Sequence, residues 1–168
     1  FTRTDEQLGG YDPVFKVNPP LRTRADIDAI KAGLADGTID AIATDHAPHA
    51  AHTKEVPLDQ APPGMVGLET ALALAITELD MPLADIVAAL SWQPAAIAGV
   101  ADRHGRPIAV GEPANLTVFH PTQQWAVVPA QLASKSRNTP YAGRTVQGKV
   151  RHTIFEGNPV VIDSAAQR

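Results

Sequence analysis

No cysteine occurs among the 168 residues. That excludes disulfides and thiolate metal sites, and it fits a reducing, cytoplasmic setting. No basic run is present either. Lys and Arg number 14 against 18 Asp and Glu, a formal net charge of −4, so binding to nucleic-acid phosphates has no electrostatic support. No apolar run approaches the ~20 residues of a membrane-spanning helix, so no membrane association is expected. A signal-peptide pattern is also lacking. What is present, 44% apolar and 19% charged residues, is ordinary for a globular domain with a real core. The first residue is Phe1 rather than Met, and Thr2-Arg3-Thr4-Asp5 reads as the middle of a loop. The expectation is a piece of a longer polypeptide.

Punctuation along the chain organises the rest. Gly9-Gly10, Asp12-Pro13 and Pro19-Pro20 make residues 1–22 loop-like, with a short extended piece at Val14-Phe15-Lys16-Val17. Thr23 and Asp26 form a candidate capping box. Ile27, Ile30 and Leu34 then follow at helical spacing until Gly37. A buried strand is expected at 39–44, completing one helix-to-strand step of a parallel sheet. Residues 46–66 show no periodicity and contain Pro48, Pro57, Pro62 and Pro63. So long an irregular loop is usually functional, often a lid. Leu68 to Leu79 is apolar almost all round, a helix buried on most faces. Another helix follows Pro82, is interrupted at Pro94 and stops at Gly99. From Gly105 onward the pattern becomes short β runs at Asn115–Phe119, Thr145-Val146 and Val150–Phe155. Glu156-Gly157-Asn158 reads as a hairpin turn, and Pro159–Ile162 as the returning strand. The fold class is therefore α/β followed by a small β portion, divided as 1–104 and 105–168.

The richest segment is Ala43-Thr44-Asp45-His46-Ala47-Pro48-His49. Asp45 is the first charged residue past the expected strand end, where α/β barrels place catalytic groups. A carboxylate there can ligate a metal and accept a proton. Two imidazoles follow at once. Read alone, the Asp-His pair also fits a turn or helix cap, Asn18 before two prolines fits a plain turn, and His49 fits a surface histidine. His52, His104, His120 and His152 read as surface residues, Trp92 and Trp125 as packing residues, and Lys54 as a solvated loop lysine.

These motifs together resemble the dihydroorotases of the amidohydrolase superfamily, in particular the single-function bacterial type. Lys16-Val17-Asn18-Pro19-Pro20-Leu21-Arg22 and the Ala43–His49 segment carry the resemblance most specifically. Pro63-Gly64-Met65-Val66-Gly67-Leu68-Glu69-Thr70, Gly111–Val118 and Ser134–Pro140 extend it across nearly the whole chain. The resemblance implies the C-terminal part of a TIM-type (α/β)8 metal-dependent hydrolase barrel, followed by part of a small β-sandwich. It implies a zinc centre and the interconversion of N-carbamoyl-L-aspartate and L-dihydroorotate in pyrimidine biosynthesis. By motif, Asp45 would ligate zinc and shuttle the proton between a zinc-bound hydroxide and the amide nitrogen. Asn18 and His49 would hold the small-molecule substrate, Pro63 and Gly64 would contact its ring, and residues 50–62 would form a mobile loop over it. His46 would support the loop from behind.

The paired histidines and further metal ligands of that family are absent here, so this polypeptide alone is expected to be inactive, its partner being the missing N-terminal portion of the same protein. A homodimer or a complex with aspartate transcarbamoylase fits the same resemblance. Two other readings remain: a related cyclic amidase of the allantoinase or dihydropyrimidinase kind, and a non-catalytic scaffold for aspartate transcarbamoylase. The retained trio Asn18, Asp45 and His49 argues against the scaffold.

Overall fold

The computed structural model describes residues 1–167. Its first segment is not extended at Val14–Val17. A 3-10 turn at Pro13–Phe15 stands there instead, with Asp12 Oδ1 accepting the Val14 N–H at 2.9 Å. Proline at the first helical position, with an Asp cap before it, selects the turn over the strand. Helix α1 (Arg24–Ala35) begins with the expected reciprocal cap. The Thr23 hydroxyl accepts the Asp26 N–H, and the Asp26 carboxylate accepts the Thr23 N–H at 3.0 Å. Ile27 and Leu34 are buried, whereas Ile30 is exposed. Gly37, in the left-handed region at φ 81°, releases the chain from the helix.

The strand expected at 39–44 makes no ladder. Two of its amides find partners outside any sheet: Ile39 N–H donates to Gly33 O and Ile42 N–H to Ala89 O, both at 2.8 Å. Two residues past its end, His46 forms an isolated parallel bridge with Met65. Nor is the run fully buried: Asp40 and Ala43 are exposed and the other residues are half-buried. Ile39 and Ile42 pack with Phe1 against a core of Leu34, Ala75, Leu79 and Ile86.

The expected helix at 68–79 opens as a 3-10 turn (Leu68–Thr70) and becomes α only over Ala71–Glu78 (α3). A short helix, α2 (Ala51–Lys54), precedes it within the proline-rich loop. Leu68 is exposed, while Ala73, Leu74 and Ala75 are buried. Helices α4 (Leu83–Leu90) and α5 (Trp92–Ile97) are divided at Ser91, three residues before the proline that sequence reading blames. The displacement has a steric cause. Pro94 has no N–H for the Leu90 carbonyl and its ring crowds that carbonyl, so the break falls one turn upstream. Gly99 at φ 70° follows α5.

Residues 116–166 form one antiparallel sheet in the order β1-β2-β3-β4, with β1 Leu116–Ala126, β2 Thr145–Phe155, β3 Asn158–Ile162 and β4 Ala165–Ala166. The hairpin β2–β3 turns at Glu156-Gly157, both at positive φ (49° and 81°), with Phe155 opposite Asn158. That is the type I′ geometry matching strand twist. Helix α3 lies on β2. Ala73, Leu74, Val127, Tyr141 and Val146 make a single buried cluster spanning helix and sheet. At Gly148 (φ 98°) the approach is so close that an added Cβ would lie 2.7 Å from Ile76 Cδ1. On the same helix, burial alone would raise the Glu78 carboxyl, but Lys31 and Arg144 hold it below its usual range. No helix among the described residues is long and apolar enough to cross a membrane.

Candidate active site

Asp45 sits in the left-handed region at φ 42°. Asp is one of the few side chains that tolerate this, and such outliers concentrate at functional sites. Its side chain is exposed. It lines a cavity of about 480 Å³ whose walls also include Asn18, Pro63 and Gly64. Three separate stretches therefore converge on one opening: the segment before α1, the segment after the unladdered run, and the end of the long loop. Ile42, Val66 and Leu74 also line it, as do Arg3 and Tyr141. The Arg3 guanidinium faces Tyr141 with its carbon 5.0 Å from the ring centroid, donates to Pro140 O, and keeps a buried Nε without a partner.

His49 stands behind that wall. Its Nε2 lies 3.0 Å from Pro63 O. A carbonyl only accepts, so Nε2 carries the proton there. Gly64 makes the arrangement possible. At φ 135°, an added Cβ would lie 2.7 Å from His49 Nε2 and 2.8 Å from Ala47 Cβ. His46 turns the other way. Its Nδ1 accepts from the Gly67 and Leu68 amides, each at 3.2 Å, capping the 3-10 turn that leads into α3. This ties the loop carrying Asp45 to that helix.

The long loop is more firmly held than its composition suggests, and Lys54, half-buried, is not a free loop lysine. Lys54 Nζ donates to Pro13 O at 2.9 Å and Pro62 O at 2.8 Å. Lys16 Nζ reaches in the opposite sense, to Leu58 O at 2.7 Å and Asp59 O at 3.1 Å. Burial, reinforced by the Lys16 ammonium, lowers the Lys54 pKa. Ala61, a residue of the loop itself, is buried. Sequence reading also overlooks Asn138, which is buried and bonded to Ala47, His49 and Gly64. It overlooks Glu69 as well, whose carboxylate accepts the Ala133 and Ser134 amides at 2.7 and 3.0 Å. Their only sequence signal is membership of the Pro63–Thr70 and Ser134–Pro140 motifs.

The donor set does not make a metal centre by itself. Among the described residues, no group of three or more His, Cys, Asp or Glu side chains is placed to hold a metal ion. A zinc site takes three or four protein ligands, and Asp45 supplies one.

Comparison with known proteins agrees with this architecture. The dihydroorotase of Streptomyces coelicolor is 49% identical over 164 residues, covering 95% of this chain and 38% of that protein. The dihydroorotase of Mycobacterium tuberculosis is 46% identical over 163 residues, with 95% and 38% covered. This chain thus spans about 38% of the length of such curated relatives. Among solved structures, an L-hydantoinase (dihydropyrimidinase) from Arthrobacter aurescens superposes with a TM-score of 0.89 at 25% identity, covering 99% of this chain and 38% of its own. A D-hydantoinase gives 0.86 at 20% identity, covering 98% and 38%. Residues 4–160 match the sequence profile of the Amidohydrolase family, and the chain belongs to that family.

Proposed function

We propose that these residues form the C-terminal part of a zinc-dependent dihydroorotase. In this reading, residues 1–104 contribute the last strands and helices of an (α/β)8 barrel, and 105–168 part of a small β-sandwich. The observation that carries it is the single cavity on which Asn18, Asp45, Pro63 and Gly64 converge. The identity to curated dihydroorotases across nearly the whole chain supports the substrate assignment. Asp45 is one zinc ligand, and the other ligands come from the portion of the longer relatives that this chain does not span.

The chain's own groups divide the work. Opening the dihydroorotate ring adds water across an amide, breaks the C–N bond and leaves a proton on nitrogen. Asp45 faces the cavity and is placed to take the proton from the attacking oxygen and return it to the departing nitrogen. Asn18 offers a donor and an acceptor to the ring. His49, whose Nε2–H holds Pro63 O, supports the wall on which the substrate carboxylate rests. Residues 50–62 close over the bound ring and exclude water.

The test is substrate choice by the full-length enzyme. Dihydroorotate and carbamoyl-aspartate are expected to be interconverted with kcat/KM roughly 100-fold or more above that for hydantoin, dihydrouracil or allantoin, since a site built around a carboxylate rejects rings lacking one. The hydantoinase-like backbone makes the other cyclic amides the second reading. A preference for any of them over dihydroorotate would overturn the first.

Loop closure has its own measurement. Hydrogen exchange of the full-length enzyme is expected to show protection at 50–62 rising when dihydroorotate binds. Lys54→Met, which removes the bonds to Pro13 and Pro62, is expected to speed exchange there in the free enzyme while leaving α1 unchanged. Strong protection of 50–62, equal with and without ligand, would make the segment a fixed loop.

A further inference from the structure

We propose that Asn138 is a positioning residue for substrate binding, fixing the separation between His49 and the Pro63-Gly64 wall. The roles of those walls rest on the reading above; the geometry of the clamp does not. Asn138 is 7% exposed. Its Nδ2 donates to Ala47 O at 2.9 Å and to Gly64 O at 3.2 Å, and its Oδ1 accepts the His49 N–H at 3.2 Å. Its main-chain carbonyl accepts the Val66 N–H at 3.1 Å. Both partners of the nitrogen are carbonyls and the partner of the oxygen is an amide N–H, so the orientation of the side chain is unambiguous.

One side chain thus joins the loop after Asp45 to the end of the long loop. The direct Ala47 N–H to Met65 O bond, 2.9 Å, lies between the same two segments. Asn138 extends that link to His49 and Gly64. No shorter or charged group does the same. Asp would lose both donors and press a carboxylate on two carbonyls. Ser would not reach both sides. The clamp is itself held. Glu69 at the start of the 3-10 turn before α3 accepts the Ala133 and Ser134 amides, and Arg137 donates to Leu132 O and Ser136 O. Asn138 therefore projects from a braced segment, not a free loop.

The experiment is steady-state kinetics of full-length Asn138→Ala and Asn138→Asp with zinc content measured alongside. A clamp acting through the substrate walls raises KM for dihydroorotate about tenfold or more while kcat changes less than about threefold. A merely structural residue would lower the active fraction and so kcat, leaving KM unchanged, and that result would overturn the proposal. Should both variants fail to fold, the wild-type enzyme decides by hydrogen exchange. The His49 and Val66 amides are expected to be protected together, and a freely exchanging His49 amide beside a protected Val66 would overturn the clamp. If the wild-type enzyme opens a different cyclic amide, the dihydroorotase reading fails. The same KM-against-kcat comparison on that amide then still tests Asn138.

Discussion

Asp45→Asn in the full-length enzyme is expected to lower kcat by at least about 100-fold, the scale of removing a general base. The substitution is a clean one. Asn tolerates the left-handed backbone that Asp45 occupies at φ 42°, so the loop should keep its path. Size and hydrogen-bonding capacity are also kept. What disappears is the ability to accept a proton at neutral pH and the charge that favours a cation. Measuring zinc content separates the two losses. Reduced kcat with zinc retained assigns the defect to proton transfer, whereas near-normal turnover with zinc retained would remove Asp45 from the chemistry.

Gly64→Ala is expected to be the most damaging small substitution in the cavity wall. Its methyl group would need to occupy space 2.7 Å from His49 Nε2 and 2.8 Å from Ala47 Cβ, at φ 135°. The backbone strain costs about 1–3 kcal/mol, and the overlap adds roughly 1–3 more unless the imidazole swings away. If it swings, the Nε2 bond to Pro63 breaks and the substrate wall is lost. The expected result is a KM increase of about tenfold or more together with a lower melting temperature. Gly143→Ala is the control. Gly143 also has positive φ, 75°, but nothing lies within 4 Å of an added Cβ, so it carries strain without overlap. A Gly64→Ala enzyme with normal KM and no more destabilised than Gly143→Ala would show that the close approach to His49 has no role.

Local signals were legible in the sequence where local forces decide. The Thr23–Asp26 cap and the Glu156-Gly157 hairpin depend on a few adjacent residues and formed as read. The run at 39–44 neither pairs nor sinks fully into the core; Ile39 and Ile42 only lean on it, because pairing and burial both need a neighbour that hydrophobicity does not encode. The helix break moved from Pro94 to Ser91 because proline acts on the turn before it. Around the cavity, the motifs point to Asn18, Asp45, Pro63 and Gly64, which converge, and to His49, which stands behind the wall instead of lining it. The grip of Lys16 and Lys54 on main-chain carbonyls was not legible. A lysine in a loop is usually solvated, and only the folded chain brings Pro13 to it. Asn138 was hidden for the same reason, its partners lying some 74 to 91 residues away.

The close seat of Ile76 on Gly148 bears on how this family can be recombined. A chimera that imports β2 from a relative carrying a side chain at position 148 would collide with Ile76 unless α3 came with it. Breakpoints placed between α3 and β2 therefore separate two residues that must be inherited together, whereas breakpoints before Ala71 keep the pair intact. Residues 76 and 148 behave as one heritable unit, although neither touches the cavity.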